Sequence, residues 1–113
     1  MNEKALKSLF DIKLAIEEIE SFFVGKEKFY ANFKQDLQLK RATERNLEII
    51  GEAMNRLLKE EPNIAITDSR RIVGLRNQII HGYDSISDEN VWAIVINHLP
   101  LLQKEINLLI DKE

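Results

Sequence analysis

Within the eight residues Arg76-Asn77-Gln78-Ile79-Ile80-His81-Gly82-Tyr83 stand four side chains able to do chemistry: Arg76, Asn77, His81 and Tyr83. Histidine titrates near neutrality, so His81 could take a proton from a nucleophile or give one to a leaving group. Arg76 stays charged and presents a planar fork matched to phosphate oxygens. Together they suit RNA cleavage without a metal. The 2′-hydroxyl would attack its adjacent phosphate while His81 handles a proton. Arg76 would stabilise the extra negative charge of a phosphorane-like transition state. Asn77 could orient His81 or donate to a phosphate, and Tyr83 could stack on a base. Residue type and spacing leave a plainer reading open, because Arg and His are common at helix C-termini, where positive charge complements the dipole.

The spacing sets a geometric condition. Asn77 and His81, four apart, share one helix face. Arg76 and His81, five apart, are separated by about 140° on a continuous helix. They converge if the helix loosens near His81 or if the long Arg side chain reaches around. Gly82 favours the first route, since glycine adopts the left-handed conformation that ends helices.

The elements that carry these residues are helical. With 113 residues the chain is read as one domain, and its 44% hydrophobic content is ordinary for a globular protein. Four Gly and two Pro are too few for the many tight turns of an all-β fold. Ala5, Leu9, Ile12, Ile16, Ile19 and Phe23 form the seam of a first helix capped by Asn2 and ended near Gly25. A short helix or irregular turn is expected between Lys26 and Asn32. Leu39, Ala42, Asn46, Ile49, Ala53 and Leu57 mark a long helix over about 35–59, stopped by Pro62. Thr67 or Asp68 can cap the next, which carries Ile72, Leu75 and Ile79 and should end near His81-Gly82. Ser87 caps the last pattern, Val91, Val95, His98, Leu102, Ile106 and Leu109, with a kink or break expected just before Pro100. His98 on this stripe reads as a core histidine, and Trp92 as core. The expectation is an all-α antiparallel bundle of four to five helices spanning residues 1–113.

Charge and cysteine content narrow the function. A net charge of −3 supplies no global attraction to nucleic acid, so RNA would need a local basic patch. Arg41, Arg45, Arg70 and Arg71 are the candidates, with Lys34 and Lys40 equally readable as ordinary surface. Glu48 and Glu52, with Arg45 and Arg56 at helical spacing, read as a surface ion-pair ladder rather than a metal site. The absence of cysteine excludes disulfides and thiolate chemistry and suits a cytoplasmic location. Charges interrupt every apolar run near the start, so neither a secretory signal nor a membrane span is expected. No metal or cofactor is called for.

Arg-x4-His-x-Tyr, with Asn directly after the Arg, resembles the signature of the HepT-like toxins, a branch of the HEPN superfamily. The stretch from Arg45 to Ala53 resembles that family's middle helix, Ile72 to Asn77 with His81-Gly82-Tyr83 its core motif, and Val91-Trp92 with His98-Leu99-Pro100 its final helix. The resemblance implies a helical homodimer whose two Arg-His motifs face a shared cleft. It implies a metal-independent endoribonuclease acting as the toxin of a toxin–antitoxin pair, with Arg76 and His81 catalytic and Asn77 assisting. The antitoxin would be a minimal nucleotidyltransferase of MntA type, transferring AMP to the motif tyrosine, here Tyr83. A partner copy would cover apolar residues at the motif's edge, such as Ile80 and Ile86. The alternative is a non-catalytic helical module that dimerises and holds a nucleotidyltransferase or a nucleotide.

Overall fold

Asn2 caps the first helix as its position suggests, its Oδ1 accepting from the Ala5 N–H at 2.8 Å, and α1 runs over Glu3–Ser21. The structure, a computed structural model, describes residues 1–81 and 86–113, with the backbone alone described at His81. Beyond α1, Phe23 remains buried in the turn that follows, and Gly25 takes the left-handed φ of 73°. The short α2 is Tyr30–Gln35, which buries Phe33. Asp36 then caps α3, Leu37–Glu60, by accepting from the Leu39 N–H at 3.0 Å. The helix stops before Pro62, as the restriction on pre-proline residues requires.

The motif helix, α4, is Ser69–His81. Asp68 precedes it, its carbonyl accepting from Arg71 and Ile72 at 3.0 and 3.1 Å. Asp68 adopts a left-handed φ of 56°, a conformation that Asp tolerates better than most residues. Ser87 caps α5, Asp88–Ala93, with its Oγ accepting from Asn90 at 3.1 Å. A π turn over Ile94–His98 joins α5 to α6, Leu99–Asp111, without interrupting the helix.

That π turn is how the chain accommodates Pro100. Proline lacks an N–H, and its ring crowds the carbonyl four residues back, here Ile96. Widening the turn relieves the clash, and the Leu99 N–H bonds to Ile94 O, five residues earlier. The added residue also shifts the helix's facing. Val91, Val95, Leu99, Leu102 and Ile106 are buried, whereas His98 is exposed. The expectation of a core histidine is therefore corrected: Leu99 occupies the core position that a strictly α-helical count assigns to His98.

Among the described residues every regular element is helical, so the fold is all-α. α3 lies between α1 and α4, α6 packs on α1, and α2 bridges α3 and α5. The core is continuous through α1, α3 and α5–α6, with Leu9, Ile12, Ile16, Met54, Leu57, Val95 and Ile106 fully excluded from water. Trp92, half-buried at its edge, gathers Phe23, Tyr30 and Phe33, with ring centroids at 5.9, 6.3 and 5.1 Å. No described helix is long and apolar enough to cross a membrane.

Candidate active site

Gly51 decides how the motif helix sits. A methyl group at Gly51 would overlap Arg76 Cβ and lie 3.1 Å from the Ile72 carbonyl. Only glycine permits this approach, and it brings the Arg76 backbone directly onto α3.

Arg76 is thereby half-buried, with 35% of its side chain exposed. Its Nε is withdrawn from water without a hydrogen-bond partner and lies 3.8 Å from Glu52 Oε1, while Nη1 donates to Asn77 Oδ1 at 3.3 Å. A guanidinium has five N–H groups. Among the described residues only the one directed at Asn77 is hydrogen-bonded, so most of the fork is open to an anion. At this distance and exposure the Glu52 contact is worth about 1 kcal/mol or less. Its effect is on where the fork lies rather than on stability.

Sequence reasoning missed Glu52 in this role. The expected ladder forms only in part: Arg45 meets Glu48 at 3.6 Å, but Glu52 faces Arg76, and Arg56 meets Asp11 of α1 at 3.1 Å. The close approach over Gly51 sets a cation from another helix beside Glu52. The glycine within an otherwise strong helix pattern was the available signal.

α4 remains helical from Arg76 to His81, so loosening of the backbone between them does not bring the two residues together. Asn77 shares a face with position 81, and its Oδ1 accepts from Arg76. The roles expected of the His81 side chain, Gly82 and Tyr83 lie outside the described residues.

The four candidate RNA-contact arginines do not form one patch. α3 and α4 are antiparallel, with Gly51 opposite the turn from Ile72 to Arg76. Counting along both helices puts Arg41 and Arg45 level with His81, while Arg70 and Arg71 lie about 15 Å away at the other end of α4. Each of three is paired: Arg41 with Glu44 at 2.6 Å, Arg45 with Glu48 at 3.6 Å, Arg71 with Asp68 at 3.8 Å. Exposed pairs of this kind are weak and give way to a stronger anion. Lys40 reaches Asp88 at 3.3 Å and ties α3 to the first turn of α5.

Beside that contact, the buried Tyr30 hydroxyl is pushed up to about 12 by withdrawal from water, then by the neighbouring Glu89 carboxylate. Glu89 is held below the usual carboxylate range, chiefly by a backbone N–H. Tyr30 is therefore a neutral phenol at any physiological pH.

A concavity of about 380 Å³ opens between α4 and the π turn with α6. His98, Arg71, Gln78 and Glu105 are on its walls beside Ile72 and Leu75. His98 reaches this wall because the π turn carries it off the core stripe.

Comparison with known proteins places this architecture. Residues 12–109, which include Arg76, Asn77, His81 and Tyr83, match the family described as Ribonuclease HepT-like. A protein of Methanocaldococcus jannaschii named as a candidate RNase, MJ1380, is 33% identical over 113 residues, covering 96% of this chain and 99% of its own. Another from the same organism, the candidate RNase MJ0127, is 33% identical over 106 residues, covering 90% of this chain and 84% of its own. The candidate RNase TTE0752 of Caldanaerobacter subterraneus is 33% identical over 85 residues, covering 74% and 76%. No solved structure gives a significant match.

Proposed function

Because the chain belongs to the HepT-like ribonuclease family, we propose that it is a metal-independent endoribonuclease in which Arg76 and His81 carry the chemistry. The observation that carries this reading is the state of Arg76. Its guanidinium is held beside Glu52 and Asn77 with most of its donors open, on the helix that ends in His81. In the reaction the 2′-oxygen bonds to phosphorus as it loses its proton. The bond from phosphorus to the 5′-oxygen breaks, and that oxygen takes up a proton. His81 serves one of these transfers, and Arg76 binds the non-bridging oxygens as their charge grows. The products are a 2′,3′-cyclic phosphate and a 5′-hydroxyl.

Two features of α4 favour a homodimer as the working form. Ile80 exposes 41% of its surface beside the motif, an apolar group for a second copy to cover. The separation of about 140° between Arg76 and His81 also leaves room for the second copy's equivalents to complete each site. Ile86, expected to be similarly exposed, is instead half-buried and packs on the core, so it offers less.

The toxin role and its control extend the same reading. A minimal nucleotidyltransferase of MntA type would transfer AMP to Tyr83, placing a phosphodiester where it competes for the Arg76 fork. Intact-mass analysis after incubation with such an enzyme and ATP tests this, and an adduct elsewhere would overturn it. For the central claim, the purified protein is incubated with RNA in excess chelator and the product ends are mapped. Cyclic phosphate ends that vanish in His81→Ala are expected. A chemical step that absolutely requires added divalent metal would refute the mechanism.

A further inference from the structure

The groove between α4 and the π turn is unused by the chemistry above, yet two departures from regular backbone converge on it. The π turn over Ile94–His98 swings His98 out of the core stripe and onto the groove wall. Across from it, Asp68 holds its left-handed φ of 56° on the rim. Pro100 gives the mechanical cause of the first, but any polar residue could have filled the displaced position. π turns and strained residues concentrate at binding sites.

The lining has a definite chemistry. Ile72, Leu75, Ile94 and Leu101 make an apolar slot, with His98 and Arg71 at its polar edge. Imidazole and guanidinium planes are among the surfaces on which single-stranded RNA bases stack. The two carboxylates at the rim are already engaged. Glu105 accepts from Thr67 N at 3.1 and 3.2 Å and from Thr67 Oγ1 at 2.9 Å. Asp68 meets Arg71 at 3.8 Å with the side chains 51% and 80% exposed, a pairing loose enough for a phosphate to displace.

Register connects the groove to the motif. Gly74 and Gln78 line it, and the backbone at position 81 lies three residues, about 4.5 Å, beyond Gln78 along the axis of α4. The distance along the axis from Gly74 is about 10 Å, the scale of neighbouring nucleotides.

We infer that this groove binds a nucleotide of the RNA strand next to the cleaved linkage, with its base in the apolar slot against His98 and its phosphate on Arg71. The inference rests on the ribonuclease reading and deepens it by naming a substrate subsite. A groove of about 380 Å³ is at the small end of ligand clefts, enough for one nucleotide.

The test measures anisotropy of a fluorescein-labelled single-stranded 2′-O-methyl RNA, which lacks the attacking hydroxyl, alongside cleavage of the unmodified strand. His98→Ala and Arg71→Ala should each weaken binding by about tenfold, the scale of a lost stacking partner. KM should rise more than kcat falls. Both side chains are exposed, so thermal melts should match wild type and separate lost binding from lost folding. Wild-type protein that neither binds nor cuts RNA would remove the ribonuclease reading and this subsite together. Cleavage and binding unchanged in both variants would remove the subsite alone. Displacement of the strand by micromolar AMP would assign the groove to a free mononucleotide. Conversion of a wild-type dimer to monomer by these variants would assign it to a second copy, and either result overturns the inference.

Discussion

α3 meets α1 on one side and α4 on the other, and the two contacts are built differently. Toward α1 it turns the face of Asn46, Ala53, Leu57 and Glu60: Asn46 donates to Glu18 of α1, Glu60 accepts from the α1 cap Asn2, and Ala53 and Leu57 are excluded from water. α1 answers with Ala5, Leu9, Ile12, Ile16 and Ile19, all fully excluded from water. Toward α4 the contact is made over Gly51, and none of the described side chains of α4 is fully buried. Ile72, Val73, Leu75 and Ile79 are half-buried at best. Each large apolar side chain fully removed from water contributes on the order of 1.5–3 kcal/mol, so stability is concentrated in the core of α1, α3 and α5–α6 and thins out at α4. With few buried apolar contacts of its own, α4 belongs to the low-stability end of the molecule.

The sharpest way to break this contrast is to alter α4 chemistry without altering the scaffold. Arg76→Ala should lower kcat by about a hundred- to a thousandfold, by analogy with removal of one transition-state donor. Its melting temperature should stay close to wild type, because the side chain is only half-buried and its ion pair is weak. A single-turnover cleavage assay beside a thermal melt reads both. Loss of folding comparable to loss of activity would show that α4 is structural after all.

The mirror experiment is Ile12→Ala on α1. It removes a fully buried side chain at a cost of about 2–5 kcal/mol in denaturant unfolding. Cleavage per folded molecule should be unchanged, since no part of α1 is assigned to the site. An equal loss of specific activity would erase the distinction between the two faces.

Gly51→Ala probes the boundary and should affect both. The added methyl would overlap Arg76 Cβ, so α4 must lift or shift. Overpacking of this kind costs about 1–3 kcal/mol. Activity should fall with stability, because the residue displaced is Arg76 itself. A variant with wild-type melting and wild-type turnover would mean that the close approach is not needed.

The smallest effect concerns acid. Glu89 has its carboxyl pKa lowered on folding, so its stabilising contribution is present above the ordinary Glu value near 4.3. It is lost as pH falls through the lower folded value. Glu89→Gln should therefore flatten the acid limb of the melting-temperature profile slightly and leave the neutral plateau nearly unmoved. An unchanged acid limb would show that Glu89 contributes nothing to it.

Local pattern made the helices legible before any fold was known. Seams at steps of three and four, the Asn2 and Ser87 caps and the stop at Pro62 all depend on residues close in the chain, where spacing translates directly into a shared face. The Arg-Asn-His-Tyr grouping was legible for the same reason, lying within eight consecutive residues. What tertiary structure alone decided lies between helices. Whether Glu52 pairs along its own helix or across to Arg76 depends on where α4 docks, and Gly51 sets that by contact rather than by pattern. Arg41 and Arg45 are separated from Arg70 and Arg71 by the antiparallel crossing, which a list of basic residues does not contain. His98 faces out because relief of the Pro100 clash inserts a π turn. An added residue in one turn rotates the stripe, and only the packing of Val95, Leu99 and Leu102 against the bundle selects which side chain is carried inward.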